Sequence, residues 1–197
     1  TLKGDGCYQT FQNGSIYWAP AAGAHFVWTG GAIAGRWRST GAEDGLLGYP
    51  TSSELCTLKG DGCYQTFQNG SIYWSPSTGA HFVWTGGAIA GRWRSTGAEE
   101  GLLGYPTSSE VCGLIDGACK QTFQNGAIYW SPTSGANLVF TKGGIGAAWT
   151  AAGAERSPLG YPTTSETCDS SGNSCSQNFQ QGRITWTAGV GVRTSYS

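Results

Sequence analysis

Apolar and polar residues alternate along a stretch that recurs through the chain, and this pattern predicts β-strands. In one copy, residues 63–68 read Cys-Tyr-Gln-Thr-Phe-Gln and residues 71–74 read Ser-Ile-Tyr-Trp. Asn69-Gly70 between them is a strong signal for a two-residue hairpin turn, and a third strand is expected over residues 80–84. Ile89 and Trp93 are four residues apart, which predicts a short helix between residues 87 and 96. The expected fold is mainly β, with one short helix or helical turn in each copy.

The copies recur every 56 residues, as the tryptophans show: Trp18, Trp74, Trp130 and Trp186. We divide the chain into repeat 1 (1–56), repeat 2 (57–112), repeat 3 (113–168) and a terminal half repeat (169–197) that holds only a hairpin. Repeats 1 and 2 differ at only five positions. Each repeat is too short to bury a sizeable core alone, so we expect the repeats to stack. The structural unit is expected to straddle the sequence repeat, which gives three complete units.

The turn at Asn69-Gly70 also fixes an expected register, in which Gln65 faces Trp74 across the hairpin. Phe67, Ile72 and Trp74 then share one face with Gln65. These residue types are the same in all four copies, so we expect this face to be core. A buried amide needs hydrogen-bond partners, so Gln65 is expected to bond to backbone groups.

The opposite face of the hairpin varies between the copies. Tyr64 becomes Lys120 in repeat 3, and Tyr73 becomes Thr185 in the half repeat. We therefore expect this second face to be in contact with water and free to carry function.

Six of the seven cysteines flank glycine-containing loops of six residues, a pattern typical of short disulfide hairpins. The expected bonds are Cys56–Cys63, Cys112–Cys119 and Cys168–Cys175. A metal site is the less favoured interpretation, because zinc needs four clustered ligands and the chain has two histidines. Cys7 is left over, and its partner would precede Thr1, as expected for a fragment of a longer array. Disulfides indicate an oxidising, extracellular setting.

Composition excludes several classes of protein. There are 11 Lys+Arg against 12 Asp+Glu, for a net charge of −1, which argues against a nucleic-acid partner because those surfaces are basic. No apolar run is long enough to span a membrane. The chain has nine Trp, nine Tyr and seven Phe, so disorder is excluded and an aromatic core is expected.

The sequence offers little for catalysis. His25 and His81 occupy the same position in repeats 1 and 2, and Asn137 replaces them in repeat 3. Glu99 and Glu110 are candidates for the paired carboxylates of a glycosidase, which must flank one cleft. Repeated carboxylates in small modules are more often ligands of turns. We therefore expect no catalytic residue, no cofactor and no metal, and retain a lytic glycosidase as the least favoured alternative.

Aromatic residues are the better candidates for a binding site, because Tyr and Trp present a ring together with a polar group. Arginine can bind carboxylates through two hydrogen bonds. Core packing and ordinary cross-strand pairs are the alternative interpretations of these side chains. The candidate ligand-binding residues are Tyr8, Tyr17, His25, Arg36, Tyr49, Tyr64, Tyr73, His81, Arg92, Tyr105, Tyr129 and Tyr161.

The motif Leu-Gly-Tyr-Pro occurs at residues 47–50, 103–106 and 159–162. Gly-Ala-Glu precedes it, Thr-Ser/Thr-Ser-Glu follows it, and the Phe-Gln-Asn-Gly-x-Ile-Tyr-Trp hairpin comes next. Over nearly the whole chain, this combination resembles the LGFP repeat family of actinobacterial cell-envelope proteins, with Tyr where the name has Phe.

The resemblance implies β-rich modules stacked into an elongated stalk. Such modules are found attached to mycoloyltransferases and wall hydrolases, and are thought to hold them to peptidoglycan–arabinogalactan. The expected protein is secreted, associated with the cell wall and non-catalytic. It would bind wall polysaccharide or peptidoglycan and be covalently linked to a catalytic domain. A structural spacer that binds nothing is the alternative.

Overall fold

The computed structural model describes residues 2–197, which form four small antiparallel sheets and three short α-helices. Sheet 1 contains β1 (Cys7–Phe11), β2 (Gly14–Ala19) and β3 (Gly23–Trp28). Sheet 2 contains β4 (Leu55–Leu58), β5 (Gly62–Thr66), β6 (Gly70–Ser75) and β7 (Gly79–Trp84). Sheet 3 contains β8 (Val111–Cys112), β9 (Cys119–Phe123), β10 (Gly126–Ser131) and β11 (Gly135–Val139). Sheet 4 contains β12 (Thr167–Cys168), β13 (Ser174–Phe179), β14 (Gly182–Thr187) and β15 (Gly191–Tyr196). The helices are α1 (Ala32–Ser39), α2 (Ala88–Ser95) and α3 (Gly144–Ala151).

Each helix lies between two sheets. Trp37 of α1 shares a core with Val27 of sheet 1 and with Phe67 and Ile72 of sheet 2, and Leu47 of the Leu-Gly-Tyr-Pro motif completes it. Helices α2 and α3 repeat this arrangement between the following sheets. Each core therefore combines the helix and motif of one repeat with the hairpin of the next, as the sequence predicted.

The hairpin register differs from the predicted one by two residues. Gln65 pairs with Ile72 and the Phe67 N–H donates to the Gly70 carbonyl at 2.7 Å, so the turn is Gln68-Asn69. Gly70 is the first residue of β6, where a Cβ would lie 2.8 Å from the Val83 carbonyl oxygen. That close approach requires glycine in the strand. A shift of two residues leaves every side chain on its predicted face.

Each sheet has two faces, which we name by their neighbours in the chain. The upstream face carries the residues equivalent to Phe67 and Ile72 and packs on the helix of the preceding repeat. The downstream face carries those equivalent to Tyr73 and Val83, which pack on the helix of their own repeat. The prediction that this second face is wet is therefore wrong where the helices cover it, as at Tyr73 and Tyr129, whereas Tyr8 on the same face of sheet 1 is exposed. Sequence periodicity shows that the helix has an apolar stripe, but not that two sheets share it.

Gln65 and its equivalents Gln121 and Gln177 join consecutive sheets. Gln121 is fully buried, and its amide nitrogen donates to the Phe82 carbonyl of sheet 2 and to the Ser108 carbonyl, both at 2.9 Å. The prediction of a buried amide bonded to backbone is confirmed.

We expect Gln121→Ala to lower the free energy of unfolding by about 2 kcal/mol, because two buried carbonyls lose their donor. Gln9 occupies the same repeat position in sheet 1 but is exposed. Gln9→Ala should therefore change the free energy of unfolding by less than about 0.5 kcal/mol. Urea titrations followed by circular dichroism measure both. Equal losses would show that this amide does not join the sheets.

All three predicted disulfides are present: Cys56–Cys63, Cys112–Cys119 and Cys168–Cys175. Each joins the first strand of a sheet to the second, across a loop that begins the hairpin. Cys7 is exposed and forms no disulfide with any other cysteine in residues 2–197.

Candidate functional site

The Leu-Gly-Tyr-Pro motif brings two repeats together at each junction. Gly48 has a left-handed backbone (φ 70°), and a Cβ there would lie 2.4 Å from the Gln68 side-chain oxygen. That oxygen accepts a hydrogen bond from the Tyr49 N–H at 3.0 Å. The Tyr49 hydroxyl in turn donates to the Lys3 carbonyl at 2.9 Å. These bonds hold the start of one repeat, its motif and the next hairpin turn against one another.

An open cleft of about 310 Å³ lies at this first junction, and we name it cleft 1. Its polar side chains are Lys3, Glu43, Gln68 and Asn69. Apolar surface comes from the turn at residues 19–21, and Tyr49, which is almost fully buried, forms part of the wall. The volume is at the lower end of the range for small-molecule sites.

Cleft 2 is the equivalent space at the second junction, with a volume of about 190 Å³. Lys59, Glu99, Gln124, Asn125 and Tyr105 line it at positions 56 residues after those of cleft 1. The same chemical groups therefore surround an opening at two successive junctions.

Cleft 1 is the roomier of the two, and its lining has Ala19 and Ala21 where cleft 2 has Ser75 and Ser77. In cleft 2 the Gln124 amide nitrogen donates to the Ser77 hydroxyl at 3.1 Å. Ala21 stands at this position in repeat 1, so the Gln68 amide, which also lines cleft 1, lacks that acceptor.

The third junction has diverged. Ile115 replaces the lysine, and Glu155 is bound by Lys120 at 3.9 Å. Tyr8 and Tyr64 occupy the Lys120 position in repeats 1 and 2. Within residues 2–197 this is the one salt bridge, so the glutamates of clefts 1 and 2 have no ion-pair partner there. Clefts 1 and 2 thus offer a carboxylate, an ammonium group and a primary amide to a ligand.

Candidate tyrosines form stacked pairs on the downstream faces of sheets 1 and 2. The rings of Tyr8 and Tyr17 are 5.3 Å apart, and those of Tyr64 and Tyr73 are 5.6 Å apart. The second ring of each pair also packs edge-on against a core tryptophan, as Tyr73 does on Trp93 at 4.9 Å. Tyr8 is exposed, and its stacked partner is half-buried.

The other predicted tyrosines are buried. Tyr49, Tyr105 and Tyr161 donate their hydroxyls to backbone carbonyls 46 residues upstream, and only the first two reach a cleft. Tyr129 packs against Trp149. The expectation that Tyr73 and Tyr129 face water is wrong, because helices α2 and α3 cover them.

Each of the two histidines lies within hydrogen-bonding distance of a backbone carbonyl in the turn that precedes it. His25 Nε2 is 2.7 Å from the Ala22 carbonyl, and His81 Nε2 is 2.9 Å from the Thr78 carbonyl. Asn137 makes the equivalent bond to Ser134 at 2.8 Å. Burial lowers the pKa of His81, which favours the neutral ring.

The two predicted arginines contact the next repeat. Arg36 donates to the Ser109 hydroxyl at 2.7 Å and lies over the ring of Phe82. Arg92 donates to the Ser165 hydroxyl at 2.6 Å. Both guanidinium groups are thus engaged in joining repeats.

Burial raises the pKa of Tyr73 to about 12, and the charge of Glu99 adds to the rise. The folded chain therefore favours the protonated phenol. That contribution to stability is fully present below the unfolded pKa of about 10 and is lost as the pH rises towards 12.

Between pH 10 and 12, ionisation of Tyr73 should lower the free energy of unfolding of the parent chain by roughly 1–2 kcal/mol. The Tyr73→Phe variant should be spared this loss, since phenylalanine cannot ionise. At neutral pH the variant should resemble the parent, because the ring contacts remain. Urea titrations at several alkaline pH values measure this. If the variant loses stability as steeply as the parent, Tyr73 does not report the packing of sheet 2 on α2.

The carboxylates proposed for a glycosidase lie in separate places. Glu99 lines cleft 2, whereas Glu110 lines a different cavity with Ile89 and Trp130. The geometry thus does not support their pairing across one cleft. Glutamates also lie beside the cysteine pairs, as Glu110 does beside Cys112 and Cys119, but those sulfurs are in disulfides and offer no thiolate.

The list of candidate ligand-binding residues from the sequence did not include the polar residues that line the clefts: Lys3, Glu43, Gln68, Asn69 and their equivalents. A signal was present, because the Lys-Gly-Asp-Gly loop, the Gly-Ala-Glu segment and the Gln-Asn turn recur together in repeats 1 and 2. Their convergence depends on how two repeats pack, which the pattern within one repeat does not reveal.

The fold and clefts define a tandem-repeat protein built from hairpin and helix modules. The LGFP repeat model matches residues 1–45, 47–101, 103–157 and 159–196. The chain belongs to the LGFP repeat family, which is a repeat family and not a catalytic one. No curated protein matches it.

Among solved structures, the chain is similar to the crystal structure of hemopexin fold protein CP4 from cow pea. The match covers 99% of this chain and 88% of that one, with 11% identity and a TM-score of 0.24. A TM-score this low carries no argument about fold or function. None of the described helices is long and apolar enough to cross a membrane.

Proposed function

We propose that this chain is a non-catalytic module that binds cell-wall glycan or peptidoglycan through clefts 1 and 2. The observation that carries the proposal is the recurrence of an open cleft lined by the same polar side chains at two junctions. A wall polymer repeats its own chemical unit, so a chain with repeated sites can bind it at several points.

The chemistry of the clefts suits such a polymer. Glu43 and Glu99 accept hydrogen bonds from sugar hydroxyl or amino groups, and the Gln68 amide offers donors to an acetamido or peptide carbonyl. The lysine of each cleft complements a carboxylate of a lactyl or peptide group. Tyr49 and Tyr105 lie in the walls of the clefts but are almost fully buried, so the polar groups provide most of the contacts.

Disulfides and family membership support an extracellular location, since disulfides persist in oxidising compartments. We propose that the module is secreted and anchors a covalently linked catalytic domain to the envelope. Each site is weak alone. Linking two sites on one polymer raises the overall affinity by roughly 10²–10⁴ when the geometry lets both engage.

Sedimentation with purified cell walls tests the proposal. The chain should pellet with walls in a saturable manner, and free wall fragments should compete it off. Walls stripped of arabinogalactan distinguish that polymer from peptidoglycan as the ligand. If the chain stays in the supernatant with every wall preparation, it is a structural spacer.

A further inference from the structure

The upstream face of sheet 1 is open, although it carries the residues that form the core elsewhere. Phe11 is 47% exposed, Ile16 38%, Trp18 41% and Phe26 36%. Their counterparts in sheet 2 are buried: Phe67 at 3%, Ile72 at 0% and Phe82 at 6%. An exposed apolar cluster of this kind marks an interaction surface.

The interfaces within the chain show what fits this face. Sheet 2 receives Ile33 and Trp37 of α1 together with Leu47 of the Leu-Gly-Tyr-Pro motif. Sheets 3 and 4 receive the equivalent residues of the next two repeats. The face of sheet 1 has the same apolar residue types in the same register, so it is shaped for the same helix and motif.

Polar groups on the open face support the same occupant. Gln9 is exposed, whereas the equivalent Gln65 donates to the Phe26 and Ser52 carbonyls across a junction. Cys7 is exposed and free, whereas the equivalent Cys63 is bonded to Cys56, which follows the motif. The Gln9 amide and the Cys7 thiol are therefore both available to bond an incoming segment.

A whole second copy stacked through sheet 4 does not supply this occupant. On the downstream face of sheet 4, Thr185 and Ser195 stand where Tyr73 and Val83 stand in sheet 2. Arg183 and Arg193 make that face polar and charged. The helices α1 to α3 of a second copy are already covered on both sides by its own sheets.

We infer that the upstream face of sheet 1 is an acceptor for the helix and Leu-Gly-Tyr-Pro segment of another LGFP repeat. Residues 29–56 of this chain are the template for that segment. The incoming helix packs on Ile16 and Trp18. The Gln9 amide donates to the carbonyl of the segment that is equivalent to Ser52, and the cysteine at the end of the segment lies next to Cys7. This surface is distinct from clefts 1 and 2, and its role does not depend on glycan binding.

A synthetic peptide with the sequence of residues 29–56 tests this inference on the intact chain. Its cysteine is activated as a mixed disulfide with 2-thiopyridine. The Cys7 thiolate then attacks the cysteine sulfur of the peptide, one S–S bond replaces another, and 2-thiopyridone leaves. We expect this exchange to saturate with peptide concentration and to proceed about tenfold or more faster than with a scrambled peptide, because binding precedes it.

Two variants separate docking from simple thiol reactivity. Ile16→Glu places a charge on the open face and should remove the rate advantage. Val190→Glu changes an apolar residue of the turn between β14 and β15 that is 62% exposed, and it should leave the rate advantage unchanged. In the Cys7→Ser chain, fluorescence anisotropy of a labelled peptide should still show saturable binding. Circular dichroism confirms that the variants fold.

The inference fails if the scrambled peptide reacts as fast as the native one, or if Ile16→Glu reacts like the parent. It also fails if the Cys7→Ser chain binds no labelled peptide. Analytical ultracentrifugation measures whether the chain dimerises. If it dimerises and the dimer does not bind the peptide, this surface belongs to a second copy instead.

Discussion

Trp93→Ala should lower the free energy of unfolding by about 3–5 kcal/mol, the cost of emptying a fully buried aromatic site. Trp93 is 1% exposed. Its ring stacks on Phe123 at 5.6 Å, meets Tyr73 edge-on, and its indole N–H donates to the Gly104 carbonyl at 3.0 Å. The side chain therefore joins α2, two sheets and the Leu-Gly-Tyr-Pro motif.

Trp28→Ala is the matched control, because Trp28 is 49% exposed and its loss should cost less than about 1 kcal/mol. Urea titrations followed by circular dichroism measure both variants. If the two variants lose similar stability, the helices are not held between sheets as described. The equivalent changes at Trp37 and Trp149 should behave like Trp93→Ala.

The second large effect concerns wall binding by the Glu43→Gln/Glu99→Gln double variant. Each substitution keeps the shape of its cleft and removes one unpaired carboxylate. We expect each single variant to weaken wall binding about tenfold, the value of one charged hydrogen bond of about 1.4 kcal/mol. The double variant should bind about a hundredfold more weakly, because the affinities of linked sites multiply.

Asp44→Asn/Glu100→Gln is the matched control for this change. Asp44 and Glu100 are the next residues along the chain, are exposed, and lie outside both clefts. The control changes the net charge by the same amount and should bind walls like the parent. If one single variant already equals the double, only one cleft binds. If the control weakens binding equally, net charge and not the clefts governs adsorption.

The parts of the fold that depend on local pattern were predictable. The 56-residue repeat, the three strands and the helix at residues 88–95 follow from the pattern of one repeat, and the disulfides follow from the short spacing of cysteines across each repeat boundary. Gln65 was also placed correctly, because an invariant amide on an apolar face needs buried partners.

The parts that depend on two repeats were not predictable. Trp74 was expected to be core and packs against it half-buried, whereas the fully buried tryptophan of repeat 2 is Trp93. Helix α2 is covered from both sides, and only the packing of two sheets reveals this. Clefts 1 and 2 combine residues from consecutive repeats, so the periodicity of a single repeat does not assemble them.

The most direct test of the account is a nuclear magnetic resonance titration with soluble wall fragments that follows the side-chain amides of glutamine. We predict that the Gln68 and Gln124 signals shift together and saturate at the same fragment concentration. Gln12 is exposed in sheet 1 and lies outside both clefts, so its signal should remain in place. Shifts that leave Gln68 and Gln124 unchanged while other residues move would contradict binding at the clefts.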